Sequence, residues 1–307
     1  MKFRSDPRQI RGSLAPVVTP FTDDSALDPD GLRTLIRWQL ASGSHGISIG
    51  GSTGEPGAQS TEERIQAMRI AAETIADHVP FLPGTGSAKL AETLELTSVA
   101  RELGADAALI ITPYYARPTQ EALYRWYATV ANEFPDLPLI VYNVPSRTAV
   151  EIEPTTVARL FRDFDNIVGI KETTKDFEHF SRTYHACGPE LLMWSGIELL
   201  CLPLLALGGA GFVSALANIA PAAVARMYEL WAAGDQDGAR DLHYRLHPLV
   251  DLLFVETNPA PAKWVLKDAG LLGSAHVRPP LIEPTETGLA KIKALRTAGA
   301  DLLDFPA

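Results

Sequence analysis

Eight short apolar runs, separated by segments of helical periodicity, constrain the fold of this chain more than any other feature of its sequence. They are LAPVVTP, GISIGG, PFLPGTG, AALIITP, PLIVYNV, NIVGIKE, ELLMWSG and AGFVSAL. None alternates apolar with polar residues, so each is predicted to be a strand buried on both faces. The segments between them are predicted to be helices. One of these, TEERIQAMRIAAETIAD, follows a capping-box pattern formed by Ser60 and Glu63.

Strands that alternate with helices predict an α/β fold, and a count of eight predicts a (β/α)₈ TIM barrel. A doubly wound open sheet is the alternative. Polar and glycine-rich residues directly after the runs favour the barrel, because active sites of barrels lie at the C-terminal ends of the strands. From about residue 220 the pattern is helical throughout. The predicted domains are a catalytic barrel over residues 1–230 and a C-terminal helical extension over residues 231–307.

Charge and composition narrow the class of partner. The net charge is −10 and lysine and arginine are not clustered, which argues against nucleic acid or an anionic membrane surface. Residues 199–217 carry no charge, but Pro203 and the glycines at 208, 209 and 211 divide them into a predicted buried helix and a buried strand. Two cysteines without CxxC spacing, and an N-terminus without an apolar signal core, predict a cytoplasmic protein.

Two residues at neighbouring strand ends could carry chemistry. Lys171 ends the run NIVGIK, and burial there would lower the pKa of its amine and make it nucleophilic. The alternative is a surface ion pair with Glu172. Tyr142 ends the run PLIVY, where its phenol could transfer protons. The alternative is a half-buried core tyrosine with a satisfied hydroxyl group.

Other residues could bind carboxylates. The turn GGSTGE after the second run offers backbone N–H groups and the hydroxyls of Ser52 and Thr53, although a plain glycine-rich turn is equally compatible with the pattern. Arg147 follows Tyr142 in NVPSRT and could clamp a carboxylate, or be a solvated loop arginine. Gly196 and Val213, near the ends of the last two runs, complete the predicted substrate-binding set.

No metal site is predicted. His243 and His247 are four residues apart in a helical segment, which is a spacing that zinc sites use. The glutamate of an HExxH motif is missing between them and Pro248 follows, so the two histidines are predicted to be solvated.

Five motifs occur together and in order, namely GGSTGE, TPYYARPTQEALY, VYNVPSRT, GIKETT and FVETNPAPAKW. In this arrangement the chain resembles the dihydrodipicolinate synthase and N-acetylneuraminate lyase family of class I aldolases, from about Gly12 to beyond Lys263. The resemblance implies a barrel with a C-terminal helical extension. It also implies a homotetramer of two tight dimers, and chemistry that needs no metal or organic cofactor.

The resemblance also implies a role for each matching residue. Lys171 matches the Schiff-base lysine and Tyr142 matches the general acid and base. Thr53 matches the hydroxyl of the proton relay, and Tyr115 matches a tyrosine lent across the tight dimer interface. Ser52 and Thr53 together match the pair that binds the carboxylate of the 2-oxo acid. Arg147 matches the arginine that receives the carboxylate of the second substrate.

The implied activity is that of a lyase that condenses pyruvate with a carboxylate-bearing aldehyde, of which L-aspartate 4-semialdehyde is the first hypothesis and would place the protein in lysine biosynthesis. After the seventh run the chain reads Ser195-Gly196-Ile197-Glu198, where the synthases commonly read SGDD. This departure supports an alternative, a catabolic pyruvate aldolase that cleaves a 2-oxo-4-hydroxy diacid. A sialic acid lyase is disfavoured by Arg147.

Two further expectations follow from the resemblance. Thr61 and Ala88 stand where feedback-regulated members contact lysine through histidine and asparagine, so inhibition by lysine is not expected. A hypothesis from a different class is a non-catalytic 2-oxo acid sensor on the same fold. The complete set of Lys171, Tyr142, Thr53 and Tyr115 weighs against the sensor.

Overall fold

The computed structural model describes residues 5–306 and contains seven strands in this part of the chain. They are β1 (Gly12–Pro16), β2 (Gly46–Ser48), β3 (Ala108–Ile111), β4 (Leu139–Asn143), β5 (Ile167–Glu172), β6 (Leu192–Ser195) and β7 (Gly211–Val213). Each of them falls on a predicted apolar run. All pairings between consecutive strands from β3 to β7, and that of β1 with β2, are parallel.

Thirteen α-helices accompany the strands within residues 5–306. The first eight are α1 (Pro29–Ala41), α2 (Thr61–Ile75), α3 (Leu90–Glu102), α4 (Gln120–Glu133), α5 (Pro145–Thr148), α6 (Pro154–Asp163), α7 (Phe177–Cys187) and α8 (Cys201–Ala206). The remaining five follow the last strand and are α9 (Pro221–Ala232), α10 (Gln236–Arg245), α11 (His247–Leu253), α12 (Ala260–Asp268) and α13 (Glu286–Ala298). The predicted capping box is confirmed, because Ser60 and Glu63 exchange side chain to backbone hydrogen bonds at the start of α2.

The third predicted run, PFLPGTG, is not a full strand. It meets β3 in a single parallel bridge between Gly84 and Leu109, with hydrogen bonds from Leu109 N to Pro83 O and from Thr85 N to Leu109 O. Pro83 has no backbone N–H to donate, so the ladder cannot extend toward the start of this run, and beyond its end Ser87 N donates to Thr93 Oγ1 instead. The predicted position and direction are therefore right and the predicted length is wrong.

The chain forms two compact units. One comprises residues 5–11 and 80–213 and contains β3 to β7 in sequence order. Every residue of β4, β5 and β6 is buried, which explains why these runs are apolar without alternation. Helix α4 packs through Tyr127, whose hydroxyl donates to Ile110 O of β3 at 2.9 Å.

Close packing between β5 and β6 requires a glycine two residues before Lys171. A methyl group at Gly169 would overlap the carbonyl oxygen of Leu192 and the ring of Trp194. Lys171 itself lies opposite Trp194 in the ladder, and Trp194 is fully buried. The strand that carries Lys171 is therefore fixed by backbone contact on the β6 side.

The other unit comprises residues 12–79 and 214–306. Its strands β1 and β2 pair with Leu14 opposite Gly46. Asn218 binds the end of β1 from both sides, since its amide donates to Pro16 O at 2.9 Å and its carbonyl accepts from Val18 N at 3.0 Å. Helix α9 packs against β1 and α10.

The helical pattern predicted beyond residue 220 is confirmed by α9 to α13. Gly234 and Gly270 have φ angles of +84° and +77° and separate successive helices, as the sequence predicts. The predicted boundary at residue 230 falls inside α9, and the division into residues 1–230 and 231–307 stays a prediction.

The uncharged residues 199–217 contain the six-residue helix α8 and the three-residue strand β7. Helix α8 ends where Gly208 adopts a φ of +95°. In the part of the chain that the structure describes, no helix combines the length and the apolar character that crossing a bilayer requires.

A buried ion pair joins the turn after β2 to the helical extension. Lys263 of α12 is 0% exposed, and its Nζ lies 2.6 Å from Glu55 Oε1. The ammonium also donates to His276 O at 2.9 Å and lies 4.1 Å from the ring centroid of Phe21. Burial lowers the pKa of Lys263 to about 8, against the opposing effect of Glu55. A cation in this place depends on its carboxylate partner.

We predict that Glu55→Gln destabilises the protein by about 3 to 5 kcal/mol, because it leaves the buried Lys263 ammonium without a counterion. Urea unfolding measures the loss. The deficit should shrink as the pH rises toward about 8, because without Glu55 the pKa of Lys263 in the folded state is lower and the variant loses the buried charge before the wild type does. Above that pH, where Lys263 is neutral in both proteins, the deficit should stay constant.

The matched control is Asp237→Asn, which removes the carboxylate of an exposed ion pair with Arg240 and should leave the free energy of unfolding unchanged. The double variant Glu55→Gln with Lys263→Met should regain part of the lost stability, because it removes the buried charge. Equal effects of the two single variants would contradict the prediction.

Candidate active site

The structure brings Lys171 and Tyr142 together. They lie opposite each other in the parallel ladder of β4 and β5, and Lys171 Nζ is 4.1 Å from the centroid of the Tyr142 ring. Their exposed fractions are 6% and 5%. A surface ion pair between Lys171 and Glu172, the alternative for this lysine, does not form, because both residues are buried and Glu172 contacts His179 instead.

The two buried lysines among residues 5–306 have opposite surroundings. Lys263 faces a carboxylate at 2.6 Å, which holds it as a cation. Lys171 faces the ring of Tyr142, and among the described residues no carboxylate lies within ion-pair distance of its Nζ. A buried amine without a carboxylate partner is the kind that can act as a nucleophile.

Gly196 allows the chain after β6 to approach Lys171. A methyl group at Gly196 would lie 2.8 Å from Lys171 Cε and would overlap Thr173 Oγ1. The Gly196 N–H donates to Glu172 O at 2.7 Å, which fixes this approach. Thr173 Oγ1 is buried without a hydrogen-bond partner among the described residues, and sequence reasoning did not single it out.

Further groups line the same end of β6 and β7. Glu198 is buried at the start of a 3₁₀ turn, Glu198–Leu200, directly before α8. Burial, and secondarily the charge of Glu198, raise the pKa of the Cys201 thiol well above its usual range. Cys201 is therefore an inert core residue. Val213, predicted to contact substrate, is buried at the end of β7.

Arg147 lies in α5, a single helical turn, rather than in the irregular loop that the sequence suggested. Pro145 at its start favours this turn, and Ala149 ends it with a φ of +56°. The Arg147 side chain is exposed. It is therefore available to a ligand and is not used in packing.

Tyr115 is 94% exposed and has a φ of +74°, which is unusual for a residue with a side chain. It makes almost no contact with its own chain. Its neighbour Tyr114 is also exposed, at 37%. Within a single chain, Tyr115 is thus the one predicted catalytic residue that is not packed into the protein.

Ser52 and Thr53 belong to the unit that contains β2. They form a 3₁₀ turn, Ser52–Gly54, directly after that strand. Asn258 donates its amide to Thr53 Oγ1 at 3.0 Å, and both side chains are buried. Because Thr53 accepts this bond, its own hydroxyl hydrogen remains available for donation. Asn258 was missed as an individual residue, although it lies in the motif FVETNPAPAKW.

A second network that the sequence did not reveal lies one residue beyond Tyr142 and Lys171. Asn143 donates to Glu172 Oε1 at 2.8 Å, and His179 Nδ1 lies 3.1 Å from Glu172 Oε2. Burial would lower the pKa of His179, but Glu172 and the carbonyl of Ile152 outweigh it and raise the pKa to about 9. This shift favours the charged form of the histidine at neutral pH.

His243 and His247 lie on the successive helices α10 and α11, with their ring centroids 5.3 Å apart. Among residues 5–306, no group of three or more His, Cys, Asp and Glu side chains is arranged to hold a metal ion.

Comparisons with known proteins agree with these observations. A model of the dihydrodipicolinate synthetase family matches residues 9–298. The 4-hydroxy-tetrahydrodipicolinate synthase of a Thermus thermophilus strain is 48% identical over 272 residues, which are 89% of this chain and 90% of that enzyme.

Two solved structures show the same similarity. The 4-hydroxy-tetrahydrodipicolinate synthase of Methylacidiphilum fumariolicum SolV is 36% identical with a TM-score of 0.92, over 95% of this chain and 96% of that one. The chloride-inhibited dihydrodipicolinate synthase of Acinetobacter baumannii, complexed with pyruvate, is 36% identical with a TM-score of 0.91, over 95% and 99%. The fold class is a (β/α)₈ barrel with a C-terminal helical extension, as predicted. The chain belongs to the dihydrodipicolinate synthetase family of enzymes.

Proposed function

We propose that this protein is a 4-hydroxy-tetrahydrodipicolinate synthase, which condenses pyruvate with L-aspartate 4-semialdehyde through a Schiff base on Lys171. The observation that carries the proposal is the buried Lys171 amine, 4.1 Å from the centroid of the Tyr142 ring and without a carboxylate partner. The relatives named for this activity, and the pyruvate bound to the Acinetobacter baumannii enzyme, support the choice of substrates.

The proposed chemistry begins on Lys171. Its amine adds to the keto carbon of pyruvate, and loss of water leaves an iminium whose positive charge draws electrons from the methyl group. Removal of a methyl proton gives the enamine, whose carbon attacks the aldehyde carbon, and the aldehyde oxygen takes up a proton. Tyr142 is the proposed acid and base for these transfers. The substrate amine then attacks the iminium carbon, closes a ring and releases Lys171.

The iminium is the electron sink of this reaction, so we propose that no metal or organic cofactor takes part. Ser52 and Thr53 are proposed to bind the pyruvate carboxylate, and Thr53 also to relay protons, for which its available hydroxyl hydrogen suits it. Gly196 and Val213 are proposed to shape the substrate site. Arg147 is proposed to receive the carboxylate of the aldehyde, which its exposed guanidinium permits.

The assembly and location are also proposals. The exposure of Tyr115 supports a homotetramer of two tight dimers, in which this side chain is lent to a partner subunit. The net charge of −10 and the free thiols of Cys187 and Cys201 support a cytoplasmic enzyme of lysine biosynthesis that acts on small molecules and binds neither nucleic acid nor membrane.

A second candidate is a catabolic pyruvate aldolase that cleaves a 2-oxo-4-hydroxy diacid. Ile197 and Glu198 favour it. These two residues, of which Glu198 is buried, stand where the synthases commonly have the two aspartates of the motif SGDD. A non-catalytic 2-oxo acid sensor is the candidate of another class. It would bind pyruvate and turn over no second substrate.

We predict that borohydride treatment with pyruvate adds the mass of pyruvic acid less one oxygen atom to the wild-type chain and adds nothing to Lys171→Ala. Intact mass spectrometry measures the adduct. Lys175→Ala is the matched control, since Lys175 is exposed four residues further along, and it should keep the full adduct. An undiminished adduct in Lys171→Ala, or none on the wild type, contradicts the mechanism.

The second substrate is decided by parallel assays of the purified protein. We expect pyruvate to be consumed with L-aspartate 4-semialdehyde, and no pyruvate to be released from a 2-oxo-4-hydroxy heptanedioate. Release of pyruvate from the diacid, with no product from the semialdehyde, would replace the first candidate with the second. An adduct without turnover of either substrate would favour the sensor.

We predict that Arg147→Ala raises the KM for the aldehyde by about tenfold or more and leaves the pyruvate adduct intact, because the guanidinium serves only the second substrate. Initial-rate kinetics and adduct yield measure the two effects. Arg125→Ala is the control, since Arg125 is an exposed arginine paired with Glu121 on α4. Loss of the adduct in Arg147→Ala would show that its role is different.

A further inference from the structure

The ends of β4 and β5 carry two adjacent ladder rows with different roles. Tyr142 lies opposite Lys171 in one row, and Asn143 lies opposite Glu172 in the next. Successive residues of a strand point to opposite faces, so the second row turns away from the Lys171 amine. In that row the Asn143 amide donates to Glu172 Oε1 at 2.8 Å, and both side chains are fully buried.

His179 of α7 contacts Glu172 of the second row. Its Nδ1 lies 3.1 Å from Glu172 Oε2, and its Nε2 lies 2.9 Å from Ile152 O. The backbone carbonyl can only accept, so Nε2 must carry a hydrogen. Nδ1 and Glu172 Oε2 lie within ion-pair distance of each other, but neither atom has a hydrogen-bond partner among the described residues, so their contact is electrostatic. A positively charged ring would be attracted to Glu172 across this distance.

The charged groups around His179 favour a second proton on its ring. Glu172 faces it from β5 and Glu151 from the segment after α5, and both charges raise the pKa of His179. On its own helix, Asp176 accepts the backbone N–H groups of Glu178 and His179. The carboxylates of Glu172, Glu151 and Asp176 thus surround the His179 ring and the start of its helix. The pKa of about 9 agrees with a positive charge on His179 at neutral pH. The network of His179, Glu172 and Asn143 is called the brace below.

The brace holds one particular piece of chain. The carbonyl of Ile152 faces His179 Nε2, and the N–H of Ile152 donates to Asn143 Oδ1 at 3.3 Å. Both backbone groups of this buried residue are therefore held by the same network. Ile152 ends residues 145–152, the Arg147 segment, which begins with the single turn of α5 and contains Ala149 at a φ of +56°.

We propose that His179 is a positioning residue for the second substrate: with Glu172 and Asn143 it holds Ile152 and thereby fixes the Arg147 segment to the ends of β4 and β5. The inference rests on the proposed function, because it takes from it the role of Arg147. It goes further than the proposed function because it states that His179, which touches no substrate, affects the affinity for the aldehyde. Pyruvate activation on Lys171 does not depend on it.

The first test is a double-mutant cycle between His179 and Arg147 in the full-length protein. His179→Gln keeps an amide donor for Ile152 O and removes the charge. It should raise the KM for L-aspartate 4-semialdehyde by about tenfold, the size expected for loss of one charged hydrogen bond, with the pyruvate adduct and the KM for pyruvate unchanged.

In an Arg147→Ala background, His179→Gln should have no further effect on the aldehyde KM, since its effect passes through Arg147. A merely structural histidine would lower kcat or stability equally in both backgrounds. Additive effects, or a parallel rise in the KM for pyruvate, would overturn the proposal. His185→Gln is the matched control, because His185 is exposed on the same helix.

The second test uses pH and needs no variant of the network. A histidine whose pKa is raised by its partners keeps the brace intact at neutral pH and loses it as the pH rises through about 9. The aldehyde KM of the wild type should therefore rise across this range more steeply than the aldehyde KM of Arg147→Ala. Titration of the substrate affects both enzymes equally, so the difference between the two slopes reports on the enzyme. Equal slopes would overturn the proposal even if His179→Gln failed to fold.

A third measurement separates this inference from the proposed function. Without any substrate, the amides of residues 145–152 should exchange with deuterium faster in His179→Gln and Glu172→Gln than in the wild type and in His185→Gln. Unchanged exchange would remove the brace. Absence of a pyruvate adduct on the wild type would instead defeat the proposed function and leave the exchange result standing.

Discussion

The parallel hydrogen-bond ladder between β4 and β5 is the interaction on which the candidate site depends. It sets Tyr142 opposite Lys171 and Asn143 opposite Glu172. Because side chains alternate along a strand, Tyr142 and Lys171 face one side of the ladder, and Asn143 and Glu172 form a hydrogen bond on the other side. A slip of one residue would exchange the two rows and place a carboxylate beside the ring of Tyr142. On the other side of β5, the backbone contact at Gly169 fixes the strand against β6.

The buried basic side chains of this protein differ in the partner that lies beside them. Lys263 and His179 are buried basic residues, each with a carboxylate within 3.1 Å. Lys171 is buried to a similar degree beside an aromatic ring instead. The same residue type therefore serves structure in one place and can serve chemistry in another, and the difference is the partner within a few ångströms.

The sequence predicted the elements and the Lys171–Tyr142 pair because both follow from local patterns. Apolar runs without alternation identify buried parallel strands, and residues that end consecutive parallel strands must be neighbours. Pro83 of PFLPGTG shortened one strand in a way that the apolar pattern does not express. The pairs Asn258–Thr53 and Lys263–Glu55 were missed because more than 200 residues separate the partners of each, as in the 205 between Asn258 and Thr53. No periodicity relates such positions. His179 was missed because its contact is with the backbone carbonyl of Ile152, and a sequence pattern does not show which backbone atom a side chain reaches.

The close approach at Gly196 limits how this site can diversify. Any side chain at this position would meet Lys171 and Thr173, so a laboratory library that replaces Gly196 would have to move these two side chains as well. Changes in substrate preference would then concentrate at the adjoining positions Thr173, Ile197 and Glu198. The Thr173 hydroxyl has no hydrogen-bond partner within residues 5–306, which makes this position the most direct starting point for redesign, since a new ligand contact there displaces no hydrogen bond of the described part of the chain.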